Sequence, residues 1–158
     1  MEQRVYAYDS AGDYLGYLRV SHDEIGNLIG EVYNKEADKL GAARYTPLES
    51  GDKEAIVFDP EGIHIGSVQV EGEGQADASA RLFFTNTMSG GTGMIAVVNP
   101  ASKNAPAVTQ AEGTQEKPSL EVRQGEYPGE VIGALKPENL EGDEAVLFAG
   151  AAALLLIL

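Results

Sequence analysis

The chain contains no cysteine. Disulfides, thiolate-held zinc and a cysteine nucleophile are therefore excluded, while the redox compartment stays open. Basic residues are scarce: 11 Lys and Arg stand against 25 Asp and Glu, a formal net charge of −14. That balance argues against sequence-independent binding of nucleic acid, which needs cations against phosphates, and against docking on anionic lipid. Histidine, the usual acid–base side chain near neutral pH, occurs twice, at His22 and His64. No Gly-x-Ser-x-Gly elbow frames a serine nucleophile. The spacing of an EF-hand loop is missing. Ser89-Gly-Gly-Thr-Gly93 lacks the Gly-Lys-Ser/Thr of a phosphate loop, and Gly72-Glu-Gly74 has Asp77 where a dinucleotide fold wants its third glycine. The first residues show neither a basic segment nor an apolar one of signal-peptide type, so the expected location is the cytoplasm. No cofactor is implied.

What the chain does have is glycine, 19 of them, many in a repeat. Four times an acidic residue is followed at fixed steps by two glycines and an aliphatic. The copies are Asp9-Ser-Ala-Gly12-Asp-Tyr-Leu-Gly16-Tyr-Leu18, Asp23-Glu-Ile-Gly26-Asn-Leu-Ile-Gly30-Glu-Val32, Asp59-Pro-Glu-Gly62-Ile-His-Ile-Gly66-Ser-Val68 and Glu126-Tyr-Pro-Gly129-Glu-Val-Ile-Gly133-Ala-Leu135. Recurrence of this kind marks one small structural unit used several times. Asp followed three residues later by Gly is type I turn chemistry, with the glycine supplying a left-handed residue and a bulge. Val5, Tyr6 and Tyr8, then Ile56, Val57 and Phe58, then Leu120 and Val122 give the incoming segments strand character. Each copy thus reads as a β-hairpin. In the fourth, Glu126 and Pro128 break the type I rule, so its turn is expected to be of another type.

Alternation along the outgoing strands places Tyr14, Gly16, Leu18 and their counterparts, among them His64, Gly66 and Val68, on one face. Leu15, Ile29, Ile65 and Ile132 then fall on the other, which predicts strands buried on both sides. A glycine repeated inside a strand implies a bend or the close approach of another backbone. Asp38-Lys-Leu-Gly41-Ala-Ala-Arg-Tyr45 has the form of a degenerate extra copy without its second glycine; the sequence leaves its status open.

Residues 71–118 differ in composition and read as an insert: a strand over 80–85, a glycine-rich turn, a strand over 94–98, and a mobile loop through residue 118. The fourth hairpin spans 119–136. The end of the chain, residues 143–158, predicts an apolar helix with Asp143 as its cap. A helix apolar all round is buried in protein or in lipid. At about 1.5 Å per residue it reaches roughly 21 Å, short of the ~30 Å of a hydrocarbon core. No Lys or Arg flanks it, so a core helix is preferred to a membrane anchor.

Hairpins of the form Tyr8-Asp9-Ser-Ala-Gly12-Asp-Tyr-Leu-Gly16-Tyr-Leu18 resemble those of the small bacterial proteins called 4-fold β-flower domains. The resemblance covers about half the chain and leaves out the insert and the tail. It implies hairpins about a pseudo-fourfold axis and a family of unassigned biochemical function. It carries over no catalytic residue.

The expected fold is a single, mainly β domain of repeated hairpins in a closed or flower-like barrel, with the terminal helix packed against or inside it. The expected role is a non-enzymatic structural or protein-interaction module, its partner another protein or a second copy. The runner-up is a barrel binding a small molecule or cation at the hairpin-turn end. Its candidate ligands are Asp9, Asp13, Asp23, Glu24, Asp59, Glu61 and His64, for which turn formation is the simpler explanation. Peripheral membrane association through residues 145–158 comes third, and an enzyme built on His22 or His64 last.

Overall fold

In a computed structural model, residues 3–22, 24, 28–47, 53–71, 79–85, 92–100, 108–109, 115–116, 120–124, 130–140 and 142–157 are described. Twelve strands and one helix follow in chain order. They are β1 (Gln3–Asp9), β2 (Tyr14–His22), β3 (Leu28–Asn34), β4 (Lys39–Pro47), β5 (Lys53–Phe58), β6 (His64–Glu71), β7 (Ser79–Thr85), β8 (Thr92–Pro100), β9 (Val108–Thr109), β10 (Gln115–Glu116), β11 (Leu120–Gln124), β12 (Val131–Glu138) and α1 (Gly142–Leu156). All but β9 and β10 form one closed barrel in the order β1-β12-β11-β8-β7-β6-β5-β4-β3-β2, with β1 also pairing β2. Chain neighbours are spatial neighbours and every pair is antiparallel. Closure removes the open edges that would otherwise recruit other strands.

The helix occupies the lumen. It touches all ten barrel strands, which is why it is apolar on every side. Ala145 through Ala149 and Ala151 through Leu154 are buried, together with Val5, Leu18, Val32, Val57, Val68, Leu82, Val98 and Leu135 from the walls. The core-helix reading therefore holds. Residues 145–154, the bulk of the postulated membrane anchor, are enclosed by the barrel, and no described helix is long and apolar enough to cross a membrane. The helix starts at Gly142, one residue before the expected cap.

Five hairpins build the barrel rather than four: β1–β2, β3–β4, β5–β6, β7–β8 and β11–β12. In the first, the Gly12 amide donates to the Asp9 carbonyl at 3.0 Å and the Asp9 amide to the Asp13 carbonyl at 3.0 Å. Gly12 has φ 88°. The third hairpin repeats this with Asp59, Gly62 (φ 87°) and Ile63. Both match the turn expected. The second hairpin does the same with Asn34, Ala37 (φ 68°) and Asp38. Asn34 thus replaces the acidic residue and Ala37 the first glycine, and Gly41 is the second glycine. The open copy at 38–45 is a true hairpin, two strands and a turn, beginning four residues earlier than its acidic mark suggested.

The copy beginning at Asp23 also joins two antiparallel neighbours, β2 and β3. Its turn falls between β2 and β3, at the opposite end of the barrel, and Asp23 and Gly26 lie outside the described residues. Asp9, Asn34 and Asp59 are the evenly spaced unit starts. The supposed insert supplies the fourth hairpin, with strands where they were expected. Of its loop, only the short β9–β10 pair is described. The fifth hairpin closes through Gln124 N–H on the Glu130 carbonyl at 2.8 Å, leaving a longer loop than the first three; Glu126 and Pro128 lie outside the described residues.

Every hairpin carries a register shift at the same place: between Ala7/Tyr8, Val32/Tyr33, Val57/Phe58, Leu82/Phe83 and Val122/Arg123. A bulge breaks the alternation of side chains. Hence Ile65 and Ile132, assigned by strict alternation to an opposite face, pack against the core, as does Leu40. Tyr14 is displaced outward against Tyr6 and Tyr8, and His64 against Phe58. Burial is thus concentrated on the lumen face, with Tyr8, Glu121 and Ala134 buried on the other.

The repeated glycine sits just past each bulge: Gly16 opposite Ala7, Gly41 opposite Val32, Gly66 opposite Val57 and Gly133 opposite Val122, with Ala96 in the fourth hairpin. A Cβ at Gly16 would fall on the Tyr33 carbonyl oxygen, at Gly41 on that of Phe58, at Gly66 on that of Phe83 and at Gly133 on that of Tyr8. Each glycine thus admits the backbone of the next hairpin around the barrel. The same four meet Leu156, Leu155, Leu154 and Ile157 of the terminal segment. They clear room for the bulky end of the helix, from Leu154 onward, rather than for its alanine-rich stretch, residues 149–153.

Candidate functional site

The seven residues proposed for a ligand or cation divide along structural lines. Asp9 Oδ1 accepts the amides of Ala11 and Asp13, both at 2.9 Å, and Asp59 Oδ1 those of Glu61 and Ile63, both at 2.9 Å. Asn34 Oδ1 does the same for Glu36 at 3.0 Å and Asp38 at 2.9 Å. These oxygens hold turns, and an amide serves as well as a carboxylate. Asp13 and Glu61 are exposed on the first and third turns, which the β3–β4 hairpin separates. Glu24 lies at the far end of the barrel, and Asp23 is outside the described residues. His64 is exposed, its ring 6.1 Å from that of Phe58, and its Nε2–H donates to the Gly66 carbonyl at 2.9 Å. The other histidine considered for chemistry, His22, is exposed at the end of β2. Among the described residues no three His, Asp or Glu side chains gather into a metal-holding group.

A different surface stands out, on the outside of β12, β1, β2, β3 and β4. Outward positions here hold five of the seven tyrosines: Tyr6, Tyr8, Tyr14, Tyr17 and Tyr33. Tyr17 and Tyr33 are register partners and stack, ring centroids 5.4 Å apart. The Arg4 guanidinium lies over the Tyr17 ring at 4.7 Å and that of Arg19 over Tyr33 at 5.8 Å. Such cation–π contacts are worth roughly 0.5–1 kcal/mol at exposed sites.

The charges on this wall invert those of the chain. Arg4, Arg19, Lys39, Arg44 and Lys136 face outward with Glu31 and Glu138. That is five of the chain's 11 basic residues with two of its 25 acidic ones. One carboxylate serves several donors: Glu31 accepts from the Tyr33 hydroxyl at 2.9 Å and lies 3.4 Å from Lys39 Nζ and 4.0 Å from Arg19. The Tyr33 hydrogen bond, then Lys39 and Arg19, hold its carboxyl below the ordinary glutamate range. Across the barrel, the outward register positions of β5–β8 and β11 set Arg81 and Arg123 against Glu54, Glu71 and Glu121. Glu121 is itself buried and takes Arg123 Nη2 at 2.9 Å.

At one end of the wall, Tyr8 is buried between Ala134 and the rings of Tyr6 and Tyr14. Its hydroxyl is the one buried side-chain polar atom without a hydrogen-bond partner among the described residues. Burial, reinforced by Tyr14 and Tyr6, pushes its pKa up to about 12. Burial likewise raises Tyr6, Tyr14 and Tyr33.

Sequence reasoning missed this wall because its members are distant in the chain and meet only through register. The tyrosine-rich strands β1–β3 were the available signal. Comparison of the chain with family models, curated proteins and solved structures finds no match.

Proposed function

We propose that the protein is a non-enzymatic protein-interaction module that works through its outer wall. The observation carrying this reading is the filled lumen. A barrel usually holds a small ligand in its interior, and here α1 takes that space, in contact with every strand. Function is left to the exterior, where tyrosine and arginine are the residue types enriched at protein interfaces. The outer wall carries charged side chains on β1–β3, β5, β7, β11 and β12. That is the reverse of the outward apolar band of a lipid-spanning barrel. The hairpin sequence resembles that of β-flower domains, and kinship with that family belongs to the same proposal, although five hairpins close this ring where the resemblance implied a fourfold axis.

The test is photo-crosslinking in the cells of origin. A photoreactive phenylalanine analogue is placed at Ser21, Ser67 or Gln69, outward positions around the barrel. At least one discrete adduct with another polypeptide is expected. Folded protein yielding no adduct from any of the three positions would sink the reading.

A further inference from the structure

We infer that the seam between β1 and β12 is the gate of this barrel, opening sideways around α1 and held shut by a latch of Arg4, Tyr6 and Glu138 on its outer face. The inference goes beyond the interaction module and stands without it. It begins with how the helix came to be inside. Residues 139–141 alone separate β12 from α1, so a helix threading the finished ring would enter from the end away from the hairpin turns, bulky end leading. Leu154, Leu155, Leu156 and Ile157 would then pass Val68 and Leu82. At that level a Cβ on Gly150 would already lie 2.6 Å from Val68 Cγ1, so even a methyl group has no space there. The ring therefore parts along one side.

Connectivity picks the side. Ten strands make ten neighbouring pairs, and β1–β12 is the pair with no turn or loop of its own, joined only through the rest of the ring. Loop-closure entropy grows with the length of chain closed, so this pair is the costliest to form and the first to part. Side chains make good what connectivity withholds. Register sets Glu138 opposite Arg4 and Lys136 opposite Tyr6. The Tyr6 hydroxyl donates to the Glu138 carboxylate across the seam and accepts from the Arg4 guanidinium. Gln3 Nε2 donates to the Asn139 carbonyl at 3.1 Å across the same line. Tyr8, fully buried on the outside of the barrel, lies on β1 against Ala134 of β12. Each hairpin has a turn to set its register; here these side chains do that work.

Native-state hydrogen exchange of the full chain in low denaturant tests the idea. Amides bonded between β1 and β12 are expected to exchange through an opening of small denaturant dependence, and those of β5 and β6 only with the steep dependence of global unfolding. Tyr6→Phe removes the hydroxyl and keeps the ring. It should speed both groups at least about fivefold, the worth of one hydrogen bond, because the latch is broken in the open and unfolded forms alike. Val57→Ala, a core change in β5, should speed β5 and β6 alone, because that contact survives when the seam parts. One denaturant dependence shared by all strands would overturn the inference. So would faster seam exchange in Val57→Ala, no change in Tyr6→Phe, or a low-cost opening confined to β8 and β11. If Val57→Ala fails to fold, the denaturant dependence of the parent decides alone.

Discussion

Replacing Gly66 with alanine tests the interlock between hairpins most directly. An ideal Cβ at Gly66 would fall on the Phe83 carbonyl oxygen, well inside the 3.0 Å that real Cβ atoms respect, while Leu154 Cδ1 would be an ordinary neighbour at 3.5 Å. The obstacle is backbone of the adjacent strand, held by the β6–β7 ladder from Gly66↔Phe84 onward. It cannot rotate away as a side chain would. Overpacking costs about 1–3 kcal/mol when side chains absorb it, and here strands must separate, so about 3 kcal/mol or more is expected. For a chain of this length that lowers Tm by about 6–12 °C, at roughly 2–4 °C per kcal/mol. Urea unfolding followed by circular dichroism supplies the free energy, and a heat scan the Tm. Ser67→Ala on the outer face is the control, expected within about 0.5 kcal/mol of the parent. Gly30→Ala is the contrast, because its Cβ would press on Leu18 and Phe148 side chains rather than on a carbonyl. It should cost less than Gly66→Ala. A Gly66→Ala protein losing under about 1 kcal/mol with an unchanged denaturant slope would refute the claim that these glycines exist to admit the neighbouring backbone.

Ala37 holds the left-handed position that Gly12 and Gly62 fill in the sister turns, so Ala37→Gly should stabilise the chain by about 1 kcal/mol, the usual left-handed penalty less the entropy of glycine; a destabilised variant in denaturant titration would contradict this. Phe148 is fully buried at the middle of α1, and Phe148→Ala should cost about 3–5 kcal/mol, measured the same way; a loss under 1 kcal/mol would mean the helix does not fill the lumen. Tyr8 makes stability pH-dependent: its pKa rises from 10.0 to about 12 on folding, so its contribution is intact below pH 10 and fades as the pH climbs toward 12. Two units at about 1.4 kcal/mol each amount to about 3 kcal/mol. Tyr8→Phe should abolish that alkaline loss. By removing a buried hydroxyl with no partner, it should also raise stability at neutral pH by about 1 kcal/mol. Denaturation midpoints at pH 7 and pH 11 check both, and an alkaline loss undiminished in Tyr8→Phe would assign the effect elsewhere.

What the sequence revealed and what it hid follow one physical line. Turn chemistry is local, so Asp9 with Gly12 and Asp59 with Gly62 announced their hairpins directly. The all-apolar tail announced its burial because no exposed helix lacks a polar face. Concealment began wherever one residue stood in for another with the same geometry. Asn34 accepts the same two amides as Asp9, and Ala37 tolerates the same left-handed backbone as Gly12. A search for acid and glycine framed that hairpin from Asp38 instead of Asn34, and so missed Gly41 as its second glycine. The bulges were hidden too, because one extra residue shifts Leu40, Ile65 and Ile132 to the inner side without any mark in composition. The wall was the least legible of all. Arg4 and Arg19, or Tyr17 and Tyr33, become neighbours only when two strand registers are fixed, and the turns set those registers.

The register that builds the wall also explains how a ten-stranded barrel comes to hold a helix. An eight-stranded barrel is about wide enough for its own side chains, and an α-helix is about 10–12 Å across with its side chains, so two more strands and trimmed residues are both required. The trimming is complementary along the axis. Where the wall projects Val68 and Leu82, the helix presents Gly150, whose Cβ would lie 2.6 Å from Val68 Cγ1 and 2.8 Å from Leu82 Cδ2. Toward the turn end the relation reverses, and Leu154, Leu155, Leu156 and Ile157 stand over Gly66, Gly41, Gly16 and Gly133. Large meets small at both levels, so helix and barrel specify one depth of insertion, and sliding by a turn would set large against large. The same glycines let each hairpin's backbone abut the next. One residue type therefore closes the ring and seats the plug. That interior is taken by the helix, in contact with every strand of the barrel, and it is the outward positions of the strands that face away from this interlock.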